Sequence, residues 1–223
     1  MEAAGKRVGF FITLEGPEGG GKSTQIHGLA ASLAERGFGV WTTREPGGTR
    51  VGEMIRPILL GRDQAPLTAW TEALLFTAAR AQHVEEVIRP RLARGEIVLC
   101  DRYLDSTLAY QGFGRGLDLT SLRELQTRAT GGLAPDLTIL FSLPVEAGLA
   151  RIPRTRQDRL DRETAAFHQR VYDGYRRLAE AEPQRWRQVD ASAGESQVAR
   201  QILELTTAAL DKAGVAPAQR RTA

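Results

Sequence analysis

Gly16-Pro17-Glu18-Gly19-Gly20-Gly21-Lys22-Ser23 is the stretch on which the reading of this chain turns. It fits the pattern G-x-x-x-x-G-K-[S/T], and its flanks fit as well. Ahead of it runs the apolar segment Val8 to Leu14, which reads as a strand. Behind it Ile26, Leu29, Ala30, Leu33 and Ala34 recur at helical spacing until Gly37 stops them. Phosphate oxygens need several N–H donors aimed at one point. A glycine-rich backbone can curl tightly enough to aim them, and the following helix adds the partial positive charge of its N-terminus. Gly16, Pro17, Glu18, Gly19, Gly20, Gly21, Lys22, Ser23 and Thr24 are therefore candidate residues for holding a nucleoside triphosphate. Lys22 reaches for the β and γ phosphates, and Ser23 offers its hydroxyl to the Mg²⁺ that accompanies ATP. The competing reading is a glycine turn with a surface lysine.

Outward from this loop, strand-like runs recur at Gly39 to Thr43, Ile97 to Cys100, Leu137 to Leu143 and Trp186 to Val189, with helical stretches between them. Such alternation predicts an α/β fold of the P-loop NTPase kind, a parallel sheet covered by helices on both faces. A second long helix is predicted from Leu67 to Arg94, with Trp70, Leu74, Ala81, Val84 and Ile88 as its buried stripe and Pro90 and Gly95 near its end. From about residue 149 to 162 the chain turns basic, with Arg151, Arg154, Arg156, Arg159 and Arg162, and Pro153 interrupts any helix. This segment reads as solvated and mobile. With no repeat and no linker, residues 1–223 read as a single domain with frayed ends near 1–7 and 213–223.

Composition narrows the function classes. A net charge of +3, spread along the chain, suits a small anionic ligand better than nucleic acid. No apolar run approaches the roughly 18 residues needed to span a bilayer, so no membrane partner is predicted. The lone Cys100 sits in an apolar run and reads as a buried, inert thiol, which fits a cytoplasmic protein. His27, His83 and His168 lack metal-ligand spacing and read as surface or cap residues. A GTP-binding switch would read guanine through Asn-Lys-x-Asp, and a chain without asparagine cannot contain that segment.

Asp101-Arg102-Tyr103 follows the run Ile97 to Cys100, at the carboxyl end of a predicted strand, where open α/β sheets bind ligands. Asp101 suits Mg²⁺ or its water, and Arg102 suits a phosphate; the alternative is a surface ion pair. Thr43-Arg44-Glu45-Pro46-Gly47-Gly48-Thr49, Asp101-Arg102-Tyr103 and Ser106-Thr107-Leu108-Ala109-Tyr110-Gln111-Gly112 resemble, in this order, segments of the thymidylate kinase family. With the glycine-rich loop and Val189-Asp190-Ala191-Ser192, the resemblance spans about Phe10 to Leu210. It implies a five-stranded parallel sheet flanked by helices, a lid over about residues 149–162, a homodimer, and transfer of the ATP γ-phosphoryl group to dTMP, giving dTDP.

The resemblance also implies roles. Glu18 accepts a hydrogen bond from the 3′-hydroxyl of dTMP, while Arg44 and Arg102 grip the acceptor phosphate. Phe76 and Arg80, four residues apart on one helix, address the thymine by stacking and by donation to O4; on its own, Phe76 reads as a core residue. Ser106, Thr107 and Gln111 lie around the nucleotide, and Tyr110 crowds the 2′ position against ribonucleotides. Pro17 to Gly20 carry no arginine, so the lid supplies the catalytic one, with Arg154, Arg156 and Arg159 as candidates beside Lys22 and Arg102. Without the resemblance, the same arginines read as a solvated basic face.

Overall fold

The computed structural model describes residues 9–62, 65–155 and 157–217; the predicted frayed end at 1–7, residues 218–223 and Arg156 lie outside the described residues. In chain order the elements are Phe10–Glu15 (β1), Lys22–Glu35 (α1), Val40–Arg44 (β2), Arg50–Leu60 (α2), Ala69–His83 (α3), Arg89–Ala93 (α4) and Ile97–Asp101 (β3). There follow Leu104–Thr107 (α5), Leu119–Thr130 (α6), Leu137–Ser142 (β4), Val145–Ala150 (α7), Ala165–Ala181 (α8), Trp186–Asp190 (β5) and Glu195–Ala213 (α9). A π-helical turn, Val84–Ile88, carries α3 into α4, and another, Leu108–Gly114, continues α5.

The five strands form one sheet in the order β2-β3-β1-β4-β5, with every neighbouring pair parallel. β1 reads Phe-Phe-Ile-Thr-Leu-Glu and is buried throughout, as a central strand covered on both faces must be. Alternation sends Phe10, Ile12 and Leu14 to one face, where Ile26, Leu29 and Leu33 of α1 meet Val198, Ile202 and Leu210 of α9. On the other face Phe11 meets Val84, Ile88, Leu92 and Tyr103, the last edge-on at 4.9 Å between ring centroids. Farther along that face Leu140 joins Leu122, Phe167, Val171 and Tyr175. The order reverses between β3 and β4 on either side of β1, which opens a crevice above the strand ends.

Three expectations need correction. Trp70 and Leu74 do not belong to a buried stripe; they are 43% and 51% exposed, and α3 instead buries Glu72, Ala73, Thr77, Ala79, Arg80 and His83. Apolar periodicity failed because this helix turns its hydrogen-bonding groups inward. His83 and His168 are not at the surface but 0% and 3% exposed, whereas His27 is exposed. The basic segment is solvated at Arg151, Arg154 and Arg162 but not throughout. Leu160 is buried in the core, the Arg159 amide donates to Leu60 O at 3.2 Å, and Asp158 accepts from the Leu160 and Asp161 amides.

Cys100 is fully buried, as predicted, and burial pushes its thiol well up. No helix among the described residues is long and apolar enough to cross a membrane. Because Phe11 stands at the centre of one face with no exposure, Phe11→Ala should cost about 3–5 kcal/mol. Urea unfolding should show a lower midpoint at an unchanged slope; a loss under 1 kcal/mol would mean that the helices collapse onto the gap.

Candidate active site

The loop between β1 and α1 is shaped by what lies beneath it. Gly19 has φ of +69°, and a Cβ there would stand 2.0 Å from the carbonyl oxygen of Gly148 in α7. At Gly16, φ is +134° and a Cβ would lie 2.6 Å from the Phe141 carbonyl oxygen of β4. Both positions therefore need glycine on two counts, conformation and contact. Lys22 folds back over the loop and donates to Gly16 O at 3.0 Å and Pro17 O at 2.7 Å. Burial, reinforced by nearby Arg102, lowers its pKa to about 8 against the pull of Glu18, Asp101 and Glu15.

Parallel pairing of Leu14 with Asp101 ends β1 and β3 side by side, and the Arg102 amide donates to Leu14 O at 3.0 Å. This sets Asp101 against the loop, where its Oδ2 accepts from the Ser23 hydroxyl at 2.6 Å. Arg102 turns with φ of +71°, the only non-glycine residue at positive φ among those described. That turn points its guanidinium under the loop: Nη2 donates to Glu18 Oε1 at 2.7 Å, and Nη1 to Gly16 O and the Tyr175 hydroxyl, both at 3.0 Å. Glu18 also accepts from the Tyr110 hydroxyl at 2.6 Å. Burial works to raise the Glu18 pKa, but Arg102, Lys22 and Tyr110 together bring it down to about 2. Beneath Arg102, fully buried Glu15 accepts from Ser106 at 2.6 Å, Tyr175 at 3.0 Å and the Tyr103 amide at 2.7 Å; burial and Asp105 raise it to about 7.

A cavity of about 420 Å³ opens above these groups. It is lined by the loop from Glu18 to Thr24 with Asp101 and Arg102, by Arg44, Pro46 and Arg56, and by Phe76, Thr107, Tyr110, Gln111, Leu60 and Leu160. Arg44 is half exposed and pairs with Glu53 at 3.0 Å. Its loop is tied down by the next residue, since the Glu45 amide donates to Asp101 O at 3.0 Å and the Glu45 carboxylate accepts from Arg80 at 2.7 Å and shares a hydrogen bond with His83 at 3.0 Å.

Arg80 itself does not line the cavity. It is 1% exposed and donates to Glu45, Thr107 Oγ1 at 2.9 Å, Gln126 at 2.7 Å and Tyr103 O at 3.0 Å. It stands directly behind Thr107, whereas Phe76 is on the wall.

Of the arginines expected in a lid, Arg159 donates to Leu59 O at 2.8 Å and to Glu72 at 2.5 Å, and Arg154 is exposed and outside the cavity lining. Arg151, directly after α7, lines the cavity and donates to Ala191 O at 3.0 Å. Sequence reading missed Glu15, Arg56, Glu72, Arg151 and Tyr175 as site residues. Only Arg151 carried a signal, as part of the basic run; the others become visible once the topology has brought their partners to them.

The arrangement offers a cradle of backbone N–H groups with a lysine at one end. At the other is a flat slot with an aromatic side, and between them are arginines and an ionised carboxylate. It is suited to holding two phosphate-bearing molecules end to end. The family model described as thymidylate kinase matches residues 14–202. A thymidylate kinase of Thermomicrobium roseum is 54% identical over 212 residues, covering 94% of this chain and 100% of that one. One of Desulforudis audaxviator is 56% identical over 176 residues, 78% of this chain and 80% of that one. The crystal structure of thymidylate kinase from Ehrlichia chaffeensis superposes with a TM-score of 0.72 at 32% identity, covering 89% of this chain and 98% of that one. A match over most of the length, with the glycine-rich loop, Asp101-Arg102 and the Phe76 slot assembled around one cavity, makes this chain a member of the thymidylate kinase family.

Proposed function

We infer that the cavity is where ATP and dTMP meet, and that the chain converts dTMP to dTDP by moving the γ-phosphoryl group of ATP onto it. The observation that carries this is that Lys22, Arg102 and Arg44 line one cavity together with the phosphate loop and Phe76. The triphosphate lies along Gly16 to Thr24, with Lys22 released from its own loop carbonyls to the β and γ oxygens. Arg44 and Arg102 hold the dTMP phosphate. Glu18, kept ionised, accepts from the 3′-hydroxyl, and Tyr110, hydrogen-bonded to that same carboxylate, fills the space a 2′-hydroxyl would need.

Phe76 stacks on the thymine, with Thr107 and Gln111 on its polar edge and Ser106 beneath. Arg80, behind the wall, has spent four hydrogen bonds on the protein, and its remaining N–H would reach O4 once the bound base displaces Thr107 from it. Ser23 and Asp101 present a hydroxyl and a carboxylate 2.6 Å apart beside the loop, a pair of hard oxygen donors that fits Mg²⁺. When bound, that ion supplies neutralisation of charge on the phosphate oxygens.

An oxygen of the dTMP phosphate bonds to the γ phosphorus as the bond to the bridging oxygen breaks, and ADP leaves. That acceptor oxygen is already ionised, so the site needs alignment and positive charge more than a base. The lid brings the last positive charge. Arg159 is committed to Glu72 and Leu59, so of the two described candidates Arg154, which is exposed, is the one we take to swing inward. Closure also keeps water from the γ-phosphoryl group. Both substrates belong to the cytoplasm, where we take the enzyme to work.

The assembly is a homodimer formed through α2 and α3. These helices pack together and leave Met54, Ile58, Trp70 and Leu74 between 41% and 66% exposed, a burden on a free surface that a second copy would relieve.

ADP release with Mg-ATP and a panel of dTMP, dUMP, dCMP, dGMP, AMP and UMP tests the reading as a whole. A strong preference for dTMP is expected; another preferred acceptor would leave a kinase with a different base pocket. Lys22→Ala should lower kcat by roughly 10²–10³-fold with little change in melting temperature. Matching losses of activity and fold would remove Lys22 from the chemistry. Since Lys22 must be charged to meet phosphate and titrates near 8 in the free protein, kcat/KM for ATP should fall as pH rises through about 8. kcat should hold to higher pH, because bound triphosphate favours the ammonium form; coincident profiles would contradict this. Met54→Glu combined with Leu74→Glu should halve the mass seen by sedimentation equilibrium, and a wild-type monomer would refute the dimer.

A further inference from the structure

Glu72 is a carboxylate on α3 with no exposure, one helical turn before Phe76, and nothing in the reaction calls for an acid behind a pyrimidine slot. Burying such a group is costly unless cations and donors meet it. Here they do. Arg115 reaches it through Nε at 3.2 Å and Nη2 at 3.1 Å, Arg159 at 2.5 Å, and Gln111 donates to Oε1 through Nε2 at 2.8 Å.

The last contact has a consequence for the pocket. An ionised carboxylate only accepts, so the amide of Gln111 can turn only its nitrogen towards Glu72. The opposite orientation would set a carbonyl oxygen against a carboxylate. Burial opposes ionisation of Glu72, yet its pKa is still lowered, because hydrogen bonds from Arg115, Gln111 and Arg159 outweigh burial. Gln111 is 1% exposed and lines the cavity, so its amide has little room to turn for other reasons. With the nitrogen held on Glu72 through one N–H, the carbonyl oxygen is the end of the amide turned away from the carboxylate.

We propose that Glu72 is a positioning residue for base selection: it locks the Gln111 amide with its oxygen towards the base, so the slot welcomes a pyrimidine that carries a hydrogen on N3 and rejects one whose N3 is a lone pair. Thymine and uracil are of the first kind and cytosine of the second. The proposal rests on the reading that Gln111 touches the base. It adds the reason why a side chain with two interchangeable ends reads only one of them.

The test is the ratio of kcat/KM for dTMP to that for dCMP in the full-length enzyme with Mg-ATP. Glu72→Gln can present either an oxygen or a nitrogen to Gln111, which frees the amide to turn. The ratio should fall by about tenfold or more, carried mainly by a higher KM for dTMP and a lower one for dCMP. Arg159→Ala removes the lid arginine from the same carboxylate but leaves its contact with Gln111, so both substrates should suffer alike and the ratio should hold. If Glu72→Gln lowers both substrates equally, Glu72 serves the lid and the fold alone and the proposal is wrong. Gln111→Ala separates the underlying reading: an unchanged ratio there would mean that Gln111 does not touch the base.

Should Glu72→Gln not fold, the wild-type protein carries the test through hydrogen exchange of the Gln111 side-chain amide, assigned by its loss in Gln111→Ala. Slow exchange before and after addition of dTMP is expected. Protection that arises only with dTMP would show the nitrogen facing the base and would overturn the proposal.

Discussion

The pairing of Leu14 with Asp101 in the parallel ladder of β1 and β3 is the constraint from which the site descends. Side chains alternate along a strand, so a slip of one residue would exchange the buried and the site-facing sets on both strands. With the register as it is, the phosphate loop leaves β1 at the level where β3 delivers Asp101 and Arg102. Ser23 then finds Asp101, and Arg102 passes beneath the loop to Glu18. β2 pairs on the far side of β3, bringing Arg44 level with Asp101. Two strand ends and the first turn of α1 thus supply a hydroxyl–carboxylate pair and two arginines close together, with no long-range folding of loops.

Charge balance takes over where the register stops. The crevice gathers Lys22, Arg44, Arg56, Arg102 and Arg151, a set that would repel itself without the acids between them. Each acid has a distinct environment. Glu18 is surrounded by positive groups and stays ionised, Glu15 lies deeper with Asp105 nearby and is raised to about 7, and burial together with Glu18 and Asp158 raises Asp161 to about 6. Carboxylates of one chemical type therefore divide between anchoring cations and sharing protons, according to depth and neighbours.

The sheet was legible because its strands are continuous apolar runs, and the observed limits fall within two residues of those read from the sequence. The phosphate loop was legible because its chemistry demands particular residues at fixed spacing. α2 was not, since Gly52 and Pro57 weaken its helical signal, although Thr49 caps it by accepting from the Gly52 amide at 3.0 Å. α3 was found but turned the wrong way: Trp70 and Leu74 look like core, while Glu72, Arg80 and His83 look like surface. A buried ion needs a partner to be buried with, and the partners of these three come from residues as distant as Glu45 and Arg159. No local pattern encodes such meetings. The resemblance to a known family supplied Phe76 and Tyr110, which spacing alone would have left in the core.

The contact between Gly19 and Gly148 constrains how this lineage can change. At Gly19 a side chain would meet the α7 carbonyl at 2.0 Å, and at Gly148 one would meet the Glu18 carbonyl at 2.3 Å. Each glycine therefore guards the other. A mutation that placed a side chain at position 19 would first have to push α7 away from the loop. A side chain at either position therefore waits on a compensating shift of the other segment, which ties change in the phosphate loop at Gly19 to change in α7.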